Sequence, residues 1–300
     1  MRLGVLILPA YDWAEARRCW QAIDRAGFAH AWTYDHIAWR DLVGKTWYSS
    51  VPTLAAAAEA TQFIQLGTLV SSPNFRHPVP FAKEAVTLAD VSSGRFILGI
   101  GAGATGADAE MLGESWDAAE RAGRFAEFVE LVDKLLREPV VDHSGDYYQA
   151  RQARADPTGR ARGRIPLAIG ATGPRGMRLA ARFGDFWVTN GRSKTPGLVA
   201  PSASVTVIRE QIGRLQDACE AEGRLPSTVR RLLLNVNRDA ASPLVSLESF
   251  RDQYGTYRGL GVTDMVIPYP RREPPFVANP EVFEAVIDEF LQCENQPGPP

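Results

Sequence analysis

The chain has 300 residues, 45% of them hydrophobic, and a formal net charge of −2 at pH 7. This composition can bury a large core, and the near-balanced charge offers no basic surface for nucleic acid. We therefore expect a globular protein without nucleic-acid or membrane partners. The apolar run within residues 1–9 is too short to span a membrane and has no small-residue cleavage site.

Cysteine and histidine spacing gives no sign of a disulfide framework or a metal centre. Cys19, Cys219 and Cys293 stand far apart, and no two of them have the short spacing of a zinc knuckle or a redox dithiol. The histidines are also scattered, at His30, His36, His77 and His143. We therefore expect a reducing, cytoplasmic setting and propose no metal site.

Apolar runs alternate with amphipathic stretches along the chain, a pattern typical of β-α units. The predicted strand and helix pairs are residues 3–8 with 13–26, 29–34 with 52–60, 64–70 with 79–91, 96–100 with 118–136, 166–169 with 175–183, 186–189 with 204–222, 232–236 with 247–257, and 262–267 with 281–291. Eight such units in a chain of this size predict a closed (β/α)₈ TIM barrel rather than an open sheet. We predict one domain over residues 1–300.

One segment lies outside this alternation. Residues 140–150 predict an extended or hairpin excursion, and a loop rich in Pro, Arg and Gly follows at 151–164, so that an insertion occupies roughly residues 138–164. The loop arginines either contact an anionic ligand or form a solvated surface. Residues 268–280 and 296–300 are Pro-rich and predict irregular structure.

Polar side chains and glycines follow the predicted strands, where a barrel enzyme carries its chemistry. They are Asp35 and His36 after strand two, Ser71, Ser72 and Asn74 after strand three, residues 99–103 at strand four, 170–173 at strand five, and 189–191 at strand six. Residues 170–173 stand before a helix that opens at Pro174, where bare backbone amides suit a phosphate. A purely steric need for glycine is the alternative.

Four motifs in this order carry a family resemblance. They are Tyr34-Asp35-His36, Leu66-Gly67-Thr68 before His77-Pro78, Ser93-Gly94-Arg95-Phe96 leading into Leu98-Gly99-Ile100-Gly101-Ala102-Gly103, and Ala168-Ile169-Gly170 before Gly184-Asp185. Over residues 1–190 the chain resembles the bacterial-luciferase-like superfamily, and its F420-dependent oxidoreductase branch (the LLM class) in particular. The carboxyl-terminal third is compatible with the resemblance but weak.

The resemblance implies a luciferase-like barrel that holds the deazaflavin F420, or FMN, with its ring at the strand ends and its phosphate toward strand five. The implied cofactor contacts are Asp35 and Ser72 at the ring, Leu69 and Val70 as a cis-bonded bulge under one ring face, Gly103 and Ala107, and Thr172, Gly173, Arg175 and Gly176 at the phosphate. His36 matches the family's proton-donating histidine. From the residues alone, the alternative for His36 is a structural histidine that caps strand two, and the alternative for Asp35 is a helix-capping acid.

The implied chemistry is hydride transfer, because a deazaflavin carries hydride between organic molecules. With His36 supplying or taking the proton, reduction of an activated double bond or an imine fits. In the family that the chain resembles, members that oxidise sugar phosphates place a carboxylate soon after the strand-four glycines. This chain has Ala104-Thr105-Gly106-Ala107 there, with Asp108 and Glu110 only beyond, so the comparison disfavours sugar-phosphate oxidation.

Aromatic residues on or just beyond strand two suggest a pocket mouth for a flat or apolar substrate, although core or dimer contacts are the alternative. They are Trp32, Tyr34, Trp39, Trp47 and Tyr48. The expected partners are a small-molecule substrate and a second copy in a homodimer. Three functions remain open: an F420-dependent oxidoreductase, an FMN-dependent monooxygenase, and a flavin-binding relative without turnover.

Overall fold

The computed structural model describes residues 1–39, 42–103, 107–156, 165–192, 204–237 and 241–291. Within them, eight parallel strands close into a barrel, which confirms the predicted fold. In barrel order they are β1 (Arg2–Leu6), β10 (Asp264–Pro268), β9 (Arg230–Leu234), β8 (Phe186–Thr189), β7 (Leu167–Gly170), β4 (Phe96–Gly101), β3 (Gln65–Thr68) and β2 (His30–Thr33). The antiparallel hairpin β5 (Val141–Ser144) and β6 (Gln149–Ala153) is inserted between β4 and β7.

Helices follow the strands in the alternation that the sequence predicts. They are α1 (Trp13–Ala26), α2 (Ser50–Ala60), α3 (Pro78–Val91), α4 (Ala107–Met111), α5 (Ala118–Arg137), α6 (Pro174–Phe183), α7 (Val205–Ala221), α8 (Leu247–Gly259) and α9 (Pro280–Phe290), with a 3₁₀ turn at Pro226–Thr228. None of these helices is long and apolar enough to cross a membrane.

Side-chain caps fix where several helices begin. Asp12 and Asp117 accept hydrogen bonds from the amides of Glu15 and Glu120, three residues further on. His77 caps α3 by accepting from the amide of Val79. Each cap satisfies an amide that has no partner within its own helix, so the strand-to-helix turns are fixed locally.

The hydrophobic core has two layers. An outer layer lies between the strands and the helices, and an inner layer fills the barrel with side chains such as Trp32, Ile97 and Phe186. Glycines make room for the largest inner groups: a Cβ at Gly67 would lie 2.4 Å from Cζ3 of Trp32. The barrel is therefore packed through its centre, and a ligand has room only beyond a strand end or outside the barrel.

A buried polar network closes the amino-terminal end of the barrel. The Trp32 indole donates to His30 Nδ1 at 2.7 Å, and His30 Nε2 lies 3.0 Å from Asp264 Oδ1. Arg2 and Arg230 also donate to the Asp264 carboxylate, at 2.9–3.0 Å. Because an indole only donates, His30 is neutral and carries its proton on Nε2. Burial lowers the pKa of His30, and hydrogen bonds outweigh burial to lower the pKa of Asp264.

The structure corrects two predicted boundaries and adds one helix. Strand β9 begins at Arg230 rather than Leu232, because the backbone of Arg230 pairs with Phe186 although its side chain is polar. Strand β6 continues to Ala153, so the start of the predicted 151–164 loop belongs to the hairpin, and residues 157–164 lie outside the described part. The short helix α4 was not predicted.

Candidate active site

The segment after β3 forms a bulge at the carboxyl-terminal rim of the barrel. Gly67 pairs with Ile97 and Ser71 pairs with Ile100. Between these two pairs the β3 segment advances four residues and β4 advances three, so the β3 segment has one extra residue. The bond between Leu69 and Val70, within the extra length, is cis, as the family resemblance implies. A bulge of this kind re-aims a side chain relative to the regular strand.

The re-aimed side chain is that of Val70. A Cβ at Gly101 would lie 2.5 Å from Val70 Cγ2, and one at Gly170 would lie 3.5 Å from the same atom. The Val70 side chain therefore lies against β4 at Gly101, where only glycine leaves space, and is close enough to Gly170 on β7 for an ordinary van der Waals contact. Gly99 joins β4 to the end of β3 by hydrogen bonds. Its amide donates to the Thr68 hydroxyl, and its carbonyl accepts from the same hydroxyl.

Asp35 is buried and held in an ion pair. Its carboxylate accepts hydrogen bonds from the Ser50 hydroxyl at 2.6 Å and from two nitrogens of Arg76, at 2.7 and 3.1 Å. Arg76 also contacts Glu84 at 3.1 Å. Asp35 is therefore not a helix cap, and most of its acceptor capacity is used within the protein. The ion pair links the ends of β2 and β3.

His36 faces a carboxylate that the sequence analysis did not assign to it. His36 Nδ1 lies 2.5 Å from Asp108 Oδ2, while Asp108 Oδ1 accepts from the amides of Ile37 at 2.7 Å and Ala38 at 3.3 Å. The Trp47 indole donates to the His36 carbonyl at 2.8 Å. Asp108 is buried and the His36 side chain is 28% exposed, so the ring is anchored at one nitrogen and accessible elsewhere.

A cleft of ≈ 690 Å³ opens beside β7 and the beginning of α6. Its wall includes five residues that the sequence analysis assigned to the cofactor, which are Gly103, Thr172, Gly173, Arg175 and Gly176. Gly173 is the N-cap of α6 and makes no side-chain cap, so the first amides of the helix face a region lined by Arg121, Arg175 and Arg214 with a single glutamate, Glu210. Unpaired helix amides and guanidinium groups both attract anions.

The remaining assigned residues do not line this cleft. Asp35 and His36 follow β2, Leu69, Val70 and Ser72 follow β3, and Ala107 begins α4. Two contacts join these groups to the cleft: Val70 packs on Gly170, and Asn74 lies against Gly103, where a Cβ would be 2.4 Å from Asn74 Oδ1. The assigned residues that line the cleft and those that follow β2 and β3 therefore lie next to each other on the rim of the barrel.

Two serine hydroxyls on this rim lack partners. Ser71 is 0% and Ser72 3% exposed, and neither Oγ has a hydrogen-bond partner among the described residues. Buried hydroxyls in native proteins are almost always bonded, so a missing partner points to a ligand or to water. Ser72 was assigned to the ring of a cofactor, and its unsatisfied hydroxyl fits such a group.

The aromatic mouth is smaller than expected. Tyr34, Trp39, Trp47 and Phe276 form a chain of ring contacts with centroid distances of 5.1–6.0 Å. Trp32 is instead fully buried in the inner core of the barrel, with its indole bonded to His30. Tyr48 lines a separate groove between α1 and α2.

Comparison with known proteins assigns the family. The model of the luciferase-like monooxygenase family matches residues 1–233. The chain belongs to the luciferase-like monooxygenase family. It is 37% identical over 179 residues to the F420-dependent glucose-6-phosphate dehydrogenase of Beutenbergia cavernae, which covers 57% of this chain and 51% of that relative. The 4-hydroxyprotoasukamycin monooxygenase of Streptomyces nodosus subsp. asukaensis is 32% identical over 207 residues, 67% of this chain and 52% of that protein.

The luciferase-like chain thus spans about half the length of the curated relatives it matches. Its fold extends further than the sequence match. The structure of an F420-dependent secondary alcohol dehydrogenase with an F420-acetone adduct superposes with a TM-score of 0.77, covering 97% of each chain at 18% identity. At that identity the match supports the luciferase-like barrel fold and nothing finer. No group of three potential metal ligands occurs among the residues that the structure describes.

Proposed function

We propose that this protein is an F420-dependent oxidoreductase that transfers hydride between the deazaflavin and a small organic substrate. The observation that carries the proposal is the anion-attracting cleft at the start of α6, which adjoins the glycine-lined bulge at Val70. A long cofactor with a planar ring and a phosphate tail needs such a pair of neighbouring sites. The F420-dependent relatives favour the deazaflavin over FMN.

The phosphate would lie at the beginning of α6. Thr172, Gly173 and Gly176 place backbone close to the cleft, and a Cβ at Gly176 would lie 2.8 Å from the Ala171 Cβ, so the loop has little space for a larger residue. Arg175 makes no hydrogen bond or ion pair with any described residue, so its guanidinium is available to an anion. Hydrogen bonds between a guanidinium and a phosphate are stronger than hydrogen bonds between neutral groups.

The ring would lie near Val70 and Ser72. Val70 offers an apolar face backed by β4 and β7, and the unsatisfied Ser72 hydroxyl offers a hydrogen bond. The Asp35 carboxylate is bonded to Arg76 and Ser50, so its proposed role is to hold this rim in place. Bound F420 supplies hydride chemistry with little reactivity toward oxygen, and the protein supplies placement.

His36 would move the proton that accompanies the hydride. Its exposed ring carries one nitrogen, Nε2, that is not bonded to Asp108. Histidine exchanges protons near neutral pH, which suits general acid and base catalysis. The neighbouring rings of Tyr34 and Trp39 would pack against a flat or apolar substrate, such as one with an activated double bond or an imine.

A second candidate, an FMN-dependent monooxygenase, is favoured by the match to the 4-hydroxyprotoasukamycin monooxygenase. The two candidates differ in the ring that they bind. We would titrate the purified protein separately with F420, with FMN, and with the deazaflavin riboside that lacks the phosphate tail, following cofactor fluorescence. We expect tight F420 binding, weaker riboside binding, and no saturable FMN binding.

A matched pair of variants tests the phosphate site. Arg175→Gln should weaken F420 binding about 10-fold, because a charge-assisted bond is worth about 1.5–3 kcal/mol, and should leave riboside binding unchanged. Arg209→Gln removes an exposed arginine of α7 that does not line the cleft and should change neither. FMN binding in preference to F420 would refute the proposal in favour of the monooxygenase.

A further inference from the structure

Asp108 is a buried carboxylate whose two oxygens contact different groups of one short segment. One oxygen, Oδ2, lies 2.5 Å from His36 Nδ1, and the other accepts the amides of Ile37 and Ala38. It is 5% exposed and comes from α4, a different element from the β2 end that carries His36. Both oxygens therefore act on the same short segment, residues 36–38.

We propose that Asp108 is the positioning residue of His36, holding its proton on Nδ1 so that Nε2 is the nitrogen presented to a bound substrate. The tautomer follows from the geometry, because an ionised carboxylate only accepts hydrogen bonds, and the nitrogen that faces it must carry hydrogen. The chemical consequence rests on the proposed function, whereas the tautomer itself does not.

The ring is fixed from several sides. The Tyr34 ring meets the imidazole edge-on with centroids 6.1 Å apart, and the Trp47 indole holds the His36 carbonyl. Among the described residues, Asp108 from α4 contacts this segment directly, and the charge of the adjacent Asp35 is balanced by Arg76. With Nδ1 engaged, rotation of the ring would break the bond to Asp108, so Nε2 stays on the opposite side.

The proton balance works in both directions of the reaction. During substrate reduction, doubly protonated His36 would give its Nε2 proton to one substrate atom, while the hydride that a bound reduced deazaflavin would supply goes to the other. The ring is then neutral, with its remaining proton on Nδ1 bonded to Asp108, and it regains a proton from water through its exposed edge. During substrate oxidation, neutral Nε2 takes the proton. Asp108 stabilises the protonated ring without itself exchanging a proton.

The tautomer is directly measurable without any cofactor. The chain has only four histidines, so ¹⁵N-histidine labelling gives a simple spectrum, and His36→Gln identifies the signals of His36. We expect the neutral His36 ring of the parent protein to carry its proton on Nδ1. A parent spectrum with the proton on Nε2 would overturn the proposal, whatever the behaviour of any variant.

Asp108→Asn gives the complementary test. The Ile37 and Ala38 amides need an acceptor, so the new amide oxygen stays with them and its NH₂ group turns to His36. That group donates to Nδ1, and we expect the ring proton to move to Nε2. A merely structural role for Asp108 would leave the tautomer signals of a folded variant unchanged.

The kinetic readout separates positioning from binding. In Asp108→Asn we expect the Kd for F420 to stay within about 2-fold of the parent and kcat to fall about 100-fold, because a misplaced proton removes acid-base catalysis. Asp12→Asn, which alters the cap of α1 and no bond to His36 or Asp108, should keep the parent kcat and the parent tautomer. Unchanged kcat in Asp108→Asn would overturn the proposal.

The two proposals fail in different ways. A parent protein that binds no F420 would end the proposed function, yet the tautomer spectrum would still decide the role of Asp108. If Asp108→Asn does not fold, the parent spectrum decides alone. A parent protein that turns over with F420 and shows Nε2–H at His36 would leave the function in place and remove Asp108 from it.

Discussion

His30 shows how one side chain is specified by its neighbours. Its ring fits only because residue 4 is glycine, since a Cβ there would lie 1.9 Å from His30 Nδ1. The Trp32 indole requires an acceptor and Asp264 requires a donor, and a neutral imidazole is both at once. Protonating His30 within the folded protein would remove the acceptor for Trp32.

This arrangement predicts a pH dependence of stability. The folded pKa of His30 lies below its ordinary value of 6.5, so its contribution is present above pH 6.5 and is lost as pH falls through the lower folded pKa. We expect the free energy of unfolding to fall as the pH is lowered below 6.5, by up to about 1.4 kcal/mol per pH unit from this group. Urea unfolding of parent and His30→Gln would measure it, because glutamine offers the same donor and acceptor without titrating.

The expected result is a flatter profile of unfolding free energy against pH in His30→Gln than in the parent. Equal slopes in the parent and His30→Gln would contradict the assignment. Asp264 affects stability in a lower pH range than His30. Because its folded pKa is depressed, its stabilising contribution is lost only when the pH falls below the ordinary value of 3.8.

Which site residues could be read from the sequence depended on distance along the chain. The α6 cleft was predictable because Thr172, Gly173, Arg175 and Gly176 are contiguous and stand at a strand-to-helix turn. The bond from His36 to Asp108 spans 72 residues and two elements. Sequence spacing carries no information on such a contact, and α4 itself has too few residues to show a helical period.

At the level of elements, the barrel was predictable because eight strands and their helices repeat one pattern. The errors occurred where a strand begins with polar residues. Arg230 and Arg231 open β9, and their backbones pair with β8 while the Arg230 side chain reaches Asp264. A pattern based on apolar residues places such a strand two residues late, since a ladder of backbone hydrogen bonds does not depend on the side chain.

The contact between the β3 bulge and β4 gives a prediction about packing. Gly101→Ala would place a methyl group 2.5 Å from Val70 Cγ2, so either Val70 or the bulge must shift. We expect a loss of stability of about 1–3 kcal/mol and weaker F420 binding, because Val70 forms the proposed ring support. Thermal unfolding and the F420 titration measure the two effects.

Gly213→Ala is the matched control for this variant. Gly213 lies in α7 with open space around its Cβ position, so the same methyl group should stabilise the helix by about 0.5–1 kcal/mol and leave F420 binding unchanged. F420 affinity in Gly101→Ala equal to that of the parent would separate Val70 from the cofactor.

For the whole molecule, the two ends of the barrel have different chemistry. The amino-terminal end carries the paired network around Asp264, where every charge has a partner that stabilises the fold. Within the described part of the chain, the carboxyl-terminal end carries unsatisfied hydroxyls, an imidazole nitrogen not bonded to Asp108 and an arginine without an ion pair. In a TIM barrel these are the stability face and the chemistry face.

This separation predicts that stability and binding respond independently. F420 at about 100 times its Kd should raise the free energy of unfolding of the parent by about 2.7 kcal/mol. In His30→Gln the free energy of unfolding without F420 should differ from that of the parent, but F420 should raise it by the same amount, because distant sites contribute additively. Arg175→Gln should keep the parent baseline and show a smaller increment at the same F420 concentration. Chemical unfolding of the three proteins with and without F420 measures each baseline and each increment, and loss of the increment in His30→Gln would show that the two ends are coupled through the packed barrel interior.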